Sequence, residues 1–508
     1  MKRLLYILPI SIILLLGSCV NDDSTIATIN VNDIAISNIG SKYSVISYAG
    51  NKLEIQPTIE SGYSDINYRW YIIDKSKEGR SSYNSGITYD MDSIANTKDL
   101  SYEVNLPEGN YRLVFKAFSK SNNYSMYKTA DVEITTQFSK GFYILKEDAT
   151  GNTELDMYTP SGILMNNLLK KTQGSSMTGS PRSLGFCYDQ AYMIGTEKNY
   201  SNCMCITTEK NDMKFIRISD MKLVIDKSNL LFDEIDSKEQ FYGTVKGYYM
   251  MHLFTSAGVR SVYDGPDGGN TGKFGNALGD VGASKYYVDC ASQYGMRFWS
   301  DSDHGIYGCD YNGSVTAVPM ATGVNYKSQG LTGYSCVACG ESQIGSVERM
   351  FFLLKDDATS KRYFYFLTNA RVKEVRELDP SLNMAQANIF STNGRTATIV
   401  YCVNNNRLYG YNYNTGAEVE MPFSGIPANE QITYITNQYW LGSDSFNYLV
   451  LGTQTGDTYK LYFYNMVGGQ PSGDPVKTIT GTGKFKSIRY VTPQYSNWTT
   501  AFSYPFTD

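Results

Sequence analysis

The stretch "TIVYCVNNNRLYGYNY" (398–413) reads as a single β-hairpin: an apolar strand, a turn of three asparagines, then a strand alternating aromatic or aliphatic residues with polar ones. The form recurs in "YLVLGTQTGDTYKLYFYN" (448–465), in "FFLLKDDATSKRYFYFL" (351–367) and in "FYILKEDATGNTELDMY" (142–158). Similar hairpins begin near Tyr192, near Tyr248 and around Phe298 to Tyr307, so that starts fall near 142, 192, 248, 300, 350, 399 and 448. A strand repeat of roughly 40–50 residues marks a β-propeller, because a four-stranded blade buries both faces only by stacking on its neighbours. Seven starts predict a seven-bladed propeller over 138–508, with "FKSIRYV" (485–491) completing the closing blade. Unrelated β-sandwiches are the alternative. The apolar "ILMNNLLKK" (163–171) is too short to argue for helical content.

Upstream, residues 27–137 read as a separate all-β unit. Leu53, Ile55, Pro57 and Ile59 alternate with polar residues, as do Ile66, Tyr68, Trp70 and Ile72, and then Tyr111, Leu113, Phe115 and Ala117. Period-two alternation between turn signals predicts strands with one buried face, hence a sandwich. The central tryptophan and the strand "GNYRLVF" (109–115) resemble an immunoglobulin-like or PKD-type domain, without the cysteine pair of antibody domains. The expected fold class is therefore all-β, an immunoglobulin/PKD-like sandwich followed by a seven-bladed propeller.

The first 18 residues carry an address. Lys2 and Arg3 precede an apolar run, Leu4 to Leu16, which is too short for the ~20 apolar residues of a membrane-spanning helix. It has the layout of a signal peptide. Leu16-Gly17-Ser18-Cys19 resembles a bacterial lipobox, in which the cysteine thiol takes a diacylglycerol before cleavage. Cys19 is thus the expected lipid attachment site, residues 1–18 the removed leader and 19–26 a lipidated tether. Asn21-Asp22-Asp23 resembles the signal that sends Bacteroidetes lipoproteins to the outer face of the outer membrane.

Composition excludes some functions. With 45 basic and 50 acidic side chains and no basic stripe, the chain lacks the electrostatic footprint of a nucleic-acid binder. Besides Cys19, eight cysteines remain: Cys187, Cys203, Cys205, Cys290, Cys309, Cys336, Cys339 and Cys402. Cys336-Val-Ala-Cys339 invites a zinc or redox reading, but the two histidines, His252 and His304, stand at no ligand spacing from these thiols. Buried apolar thiols are the expected state, with a disulfide or a metal as alternatives. No Walker loop, dinucleotide fingerprint, His-Glu-x-x-His or Gly-x-Ser-x-Gly is present. Acidic candidates for glycosidase chemistry are Asp148, Asp156, Asp301 and Asp303, and "SDSDHGIYG" (300–308) faintly resembles the Asp-box turn of sialidases. The Gly-rich "YDGPDGGNTGKFGNALGDVG" (263–282) holds Asp264, Asp267 and Asp280. It reads as an insertion between blades or as a mobile flap with a weak calcium site.

The lipobox, the PKD-like strand pattern and above all "KGFYILKEDATGNTELD" (140–156) resemble the PKD-like family of Bacteroidetes surface lipoproteins. Members of that family typically accompany SusC/SusD-type importers, in which a TonB-dependent barrel is capped by a lipoprotein lid. The resemblance implies a surface accessory in nutrient capture, with glycan or peptide cargo and those two proteins as partners. It implies no catalytic residues, cofactor or metal, and membrane contact through the lipid alone. A cell-surface propeller enzyme, a glycoside hydrolase or lyase, is the alternative, and a structural adhesin a third reading. Carboxylates clustered at one mouth of the central funnel would favour the enzyme, and aromatic platforms without them would favour binding.

Overall fold

A computed structural model describes residues 34–47, 51–75, 92–246, 250–263, 271–288, 296–310, 313–344, 347–368, 370–441 and 445–493. The leader, the tether, Cys19, Asp264, Asp267 and Cys290 lie outside the described residues. The chain divides into two compact units, Met1–Ile134 and Thr135–Asp508.

The first unit is a β-sandwich. A five-stranded sheet is ordered Lys42–Ile46, Tyr124–Thr135, Gly109–Ser119, Ile66–Asp74, Asp92–Ala95. It shares one core with two strand pairs, Ile34–Ser37 with Thr58–Ser61 and Lys52–Ile55 with Leu100–Glu103. Trp70 is fully buried against Phe115, with ring centroids 4.4 Å apart, and its Nε1 donates to the Thr97 carbonyl at 3.0 Å. Tyr111 Oη donates to the Pro107 carbonyl at 2.9 Å, the backward tie that pins the start of such strands in immunoglobulin-like domains. One expectation changes. The alternating run Leu53–Ile59 is two strands with different partners, broken at Gln56–Pro57, since proline offers no N–H to a ladder.

The second unit is a seven-bladed propeller. Blade 1 joins the two ends of the unit: Lys484–Val491 is innermost, followed outward by Gly141–Glu147, Thr153–Tyr158 and Leu164–Met165. A short helix, α1 (Leu168–Gln173), leads to blade 2, whose strands are Pro181–Ile194, Glu197–Thr208, Met213–Arg217 and Leu223–Asp226. Among the described residues blade 3 has three, Phe241–Lys246, Met250–Thr255 and Gly258–Tyr263. Blade 4 comprises Tyr287–Val288, Met296–Ser300, Gly305–Cys309 and Val315–Ala317, and blade 5 Tyr334–Ile344, Val347–Asp356, Arg362–Thr368 and Arg371–Glu377. Blade 6 runs Ile389–Thr392, Ile399–Asn404, Arg407–Asn412 and Glu418–Glu420, and blade 7 Ile432–Trp440, Phe446–Thr455, Thr458–Val467 and Gln470–Thr482.

Every neighbouring pair of blades shares a core. One cluster packs blade 1 against both blade 2 and blade 7, and five others join the remaining neighbours in turn. Blade 5 shows why middle strands are apolar throughout. Met350, Phe352 and Leu354 pack toward blade 4, while Phe351 and Leu353 pack toward blade 6. Both faces are dry, so strict alternation gives way to a continuous apolar run. The asparagine turn of blade 6 places Asn405 and Asn406 at φ 49° and 62°, the left-handed pair that a two-residue hairpin turn requires.

Two further expectations are corrected. The repeated hairpin joins the second and third strands of each blade. In blade 2 that hairpin begins at Glu197, whereas the one read near Tyr192 joins the first and second strands. The Gly-rich stretch is not a free flap in its described part. Residues 271–282 run beside the last strand of blade 3, where a fourth strand would lie: Leu278 N donates to Val259 O at 2.8 Å and Gly275 N to Ser261 O at 3.0 Å. Phe274 is buried in the core between blades 2 and 3.

Closure of the ring is covalently remote and chemically specific. Lys484–Val491 pairs antiparallel with Gly141–Glu147, and a buried ion pair sits beside that seam, with Lys146 Nζ 2.7 Å from Asp156 Oδ1. Tyr459 of blade 7 donates its hydroxyl to Asp156 Oδ2 at 2.7 Å, and Lys146 donates to the Thr482 carbonyl at 2.8 Å. Removing one member of a dry ion pair leaves the other charge uncompensated, at a cost of about 3–5 kcal/mol. Lys146→Met should therefore lower the unfolding free energy by about that amount in urea titration, and adding Asp156→Leu should recover much of the loss. A Lys146→Met single variant as stable as the wild type would show that the pair does not hold the seam.

Candidate functional site

The polar residues of the most specific phrase, 140–156, are occupied by the fold. Asp148 accepts from Thr150 N, Thr150 Oγ1 and Asn152 N, and so shapes the hairpin turn. Glu154 accepts from the backbone N–H groups of Leu169 and Lys170 in α1 and from Ser176 Oγ. Asp156 is held by Lys146 and Tyr459 at the seam. Asp301 accepts from Trp299 Nε1 at 2.8 Å, and Asp303 accepts from Ser300 and Ser302 within the turn after the second strand of blade 4. That turn is structural, with His304 at its left-handed corner (φ 49°). Asp148 belongs to the blade 1 turn, Asp301 and Asp303 to one turn of blade 4, and Asp156 to the seam, each tied to that local structure by its own hydrogen bonds.

The thiols are equally placed. Cys187, Cys203, Cys205, Cys309, Cys336, Cys339 and Cys402 are buried in the cores between blades. Burial pushes the thiols of Cys203, Cys205 and Cys336 well up and that of Cys309 to about 12, so they pack as small apolar groups. Among the described residues no group of three or more His, Cys, Asp or Glu could hold a metal ion. His252 lies in the second strand of blade 3, fully buried, its Nδ1 2.8 Å from Ser261 Oγ.

What the ring does bring together is a mouth at the leading ends of the innermost strands. In blades 1, 2, 3, 5 and 7 the register slips there by one residue, leaving Lys486, Arg182, Tyr242, Val337 and Thr433 as bulges. A bulge re-aims side chains at a barrel rim. A cavity of about 380 Å³ opens at this end, walled by blades 4, 5, 6, 7 and 1. Tyr286, Phe390, Tyr434 and Phe485 supply half-buried rings from four different blades, with Tyr434 and Phe485 edge to face at 4.8 Å. Lys285 and Lys486 supply positive charge, Thr392, Thr433 and Thr436 hydroxyls, and among the described residues no carboxylate lines the cavity. Ser391 Oγ, also in the lining, is buried without a hydrogen-bond partner among the described residues.

Beside the cavity, Arg182 stacks over Tyr242 at 5.3 Å and donates to Glu209 at 2.7 Å and to Gln240 at 2.8 Å. Arg182 holds the Glu209 carboxyl below its ordinary range, and the charges of Lys486 and Lys285 add to the effect. The mouth thus carries a surplus of positive charge among aromatic faces. Such a surface can stack on a ring, pair with an anion and donate to hydroxyls. Glu209, held by Arg182, stands at its edge, and Asp301 also acts on Tyr242. Sequence reading missed these residues because it followed the outer hairpins. Their signal is positional, an aromatic or basic residue at the first positions of each innermost strand, and the bulges blur even that.

Residues 19–181 match the family model of the PKD-like family. That span covers the sandwich and the first part of the propeller unit, through the 140–156 phrase. No curated protein matches the sequence. Among solved structures, the chain is similar to a quinonprotein alcohol dehydrogenase-like protein from Bacteroides thetaiotaomicron, at 13% identity over 90% of this chain and 99% of that one, with a TM-score of 0.39. It is also similar to PorZ, a surface component of the type-IX secretion system of Porphyromonas gingivalis, at 10% identity over 67% of this chain and 38% of that one, with a TM-score of 0.37. A third is AztD of Citrobacter koseri, at 10% identity over 82% and 99%, with a TM-score of 0.32.

The buried histidine gives a pH signature. Burial lowers the pKa of His252 to about 4, against an ordinary 6.5, so it stays neutral in the folded chain. Below pH 6.5 the unfolded chain takes up a proton that the folded one refuses. Stability contributed by the neutral ring is complete above 6.5 and lost as pH falls toward 4, by up to about 3 kcal/mol. Unfolding free energies measured from pH 7 to pH 4 should fall less steeply for His252→Gln than for the wild type. Parallel curves for the two proteins would exclude this origin.

Proposed function

We propose that this protein is a non-catalytic accessory of the outer membrane, anchored by lipid on Cys19 and facing the cell exterior. In this reading it holds glycan or peptide cargo at the mouth of its propeller and docks onto a SusC/SusD-type importer. One observation carries the binding role: a cavity whose lining, among the described residues, has half-buried rings from four blades, two lysines and no carboxylate. A hydrolase or lyase would need acid–base groups aimed at one point, and the acidic candidates are each committed to a turn or to the seam.

The address and the partner rest on the sequence. The lipobox motivates Cys19, and the PKD-like match over 19–181 supports the family from which the importer association comes. Anchoring both partners in one membrane plane raises their effective concentration, so a modest interface suffices. A rigid disc with variable loops suits the presentation of extended polymers above a channel.

Affinity purification from mildly solubilised outer membrane should bring down the barrel and its lid, and Cys19→Ala should abolish membrane retention. Binding to the surface polysaccharides or peptides so identified should weaken by roughly tenfold in Tyr434→Ala, as expected of a central aromatic contact. Cleavage of a polysaccharide by the purified protein would establish the enzyme reading in place of this one.

A further inference from the structure

A second cavity, of about 460 Å³, opens between blades 7 and 1 at the opposite end of the Lys484–Val491 strand from the mouth. The two cavities share no residue. Phe142 and Tyr490, opposite one another in the seam, are buried in its lining. Tyr158, Phe446 and Tyr448 form half-buried walls, with Phe446 and Tyr448 stacked at 4.9 Å.

Lys477 reaches into this space. On the outermost strand of blade 7 the register jumps from Asn465 opposite Ser472 to Phe463 opposite Lys477, so residues 473–476 bow out and Lys477 returns on the same face as Phe463. Its Nζ lies 5.1 Å from the Phe142 ring, 5.2 Å from Tyr158, 5.5 Å from Phe463 and 6.0 Å from Tyr448. The amine has no carboxylate or hydrogen-bond acceptor among the described residues, and burial alone lowers its pKa. Ring faces attract the charge but leave three N–H donors without strong acceptors. Lys477 is half-buried, and with no carboxylate among the described lining residues its ammonium is open to an incoming anion. The cavity falls within the usual size range of small-molecule clefts, and the hydroxyl residues Thr159 and Ser445 also line it.

We infer that this cavity binds a carboxylated sugar ring, a hexuronate. Its carboxylate pairs with Lys477 Nζ, its C–H face lies on Tyr158 and Phe446, and its hydroxyls meet Thr159 and Ser445. The site is independent of the mouth and of whatever cargo the mouth holds.

Titration calorimetry of the full chain with D-glucuronate and with D-glucose, which differ at one carbon, tests this. Glucuronate should bind at least about tenfold more tightly, the usual scale of one charge-assisted contact. Lys477→Met should erase the preference while thermal melting stays cooperative, Lys477→Arg should retain it, and Tyr434→Ala at the mouth should leave it intact. Ser445→Ala, at an exposed position outside the core, should weaken glucuronate while the fold is untouched, which keeps the test valid should Lys477→Met fail to fold. Equal binding of the two sugars, no binding of either, survival of the preference in folded Lys477→Met, or its loss in Tyr434→Ala would overturn the assignment.

Discussion

Everything in the larger unit depends on one antiparallel pairing, between the strand ending near its C-terminus and the first strand after the sandwich. A blade exposes two apolar faces, and each is dry only when a neighbour covers it. Six neighbours can stack in a row, but the two end faces stay wet until Lys484–Val491 zips onto Gly141–Glu147. The largest core cluster lies at this join and draws on blades 7, 1 and 2 together. Beside it the Lys146–Asp156 pair and Tyr459 add a directional lock. The pair itself joins two strands of the blade 1 hairpin, and it reaches blade 7 through the bonds of Lys146 to the Thr482 carbonyl and of Tyr459 to Asp156.

This constraint accounts for the polar residues of the 140–156 phrase. In the 140–156 phrase, Lys146, Asp148, Glu154 and Asp156 are polar and far from exposed, a pattern that elsewhere would suggest an active site. Here each answers to a structural demand: seam, turn, cap on α1, seam again. The chemistry of ring closure and the chemistry of catalysis use the same residue types, and only their partners tell them apart.

Closure also creates the two cavities. The mouth exists because innermost strands from five blades converge; bulges place Lys486, Val337 and Thr433 at the opening, while Lys285, Tyr286 and Phe390 come from the regular leading ends of blades 4 and 6. The second cavity exists because blades 7 and 1, far apart in sequence, become neighbours at the seam. Both combine rings with lysines and, among the described residues, no carboxylate in the lining, in a chain whose net charge is −5. Local charge at each cavity is therefore opposite in sign to the protein as a whole.

The amino-acid sequence by itself determined the all-β class, the sandwich, the hairpin repeat and the number of blades. These rest on local periodicity and turn residues, as with Asn405 and Asn406, and local signals survive without knowledge of partners. It misplaced the hairpin of blade 2 and merged two strands at Gln56–Pro57, because alternation shows that a residue pairs but not with which strand. The mouth and the Lys477 cavity were decided only by tertiary structure. Tyr286, Phe390, Tyr434 and Phe485 are scattered across four blades, and Phe142 and Lys477 stand at opposite ends of the propeller unit's sequence. Their proximity follows from closing a ring, a long-range event that leaves no periodic mark on either stretch of chain.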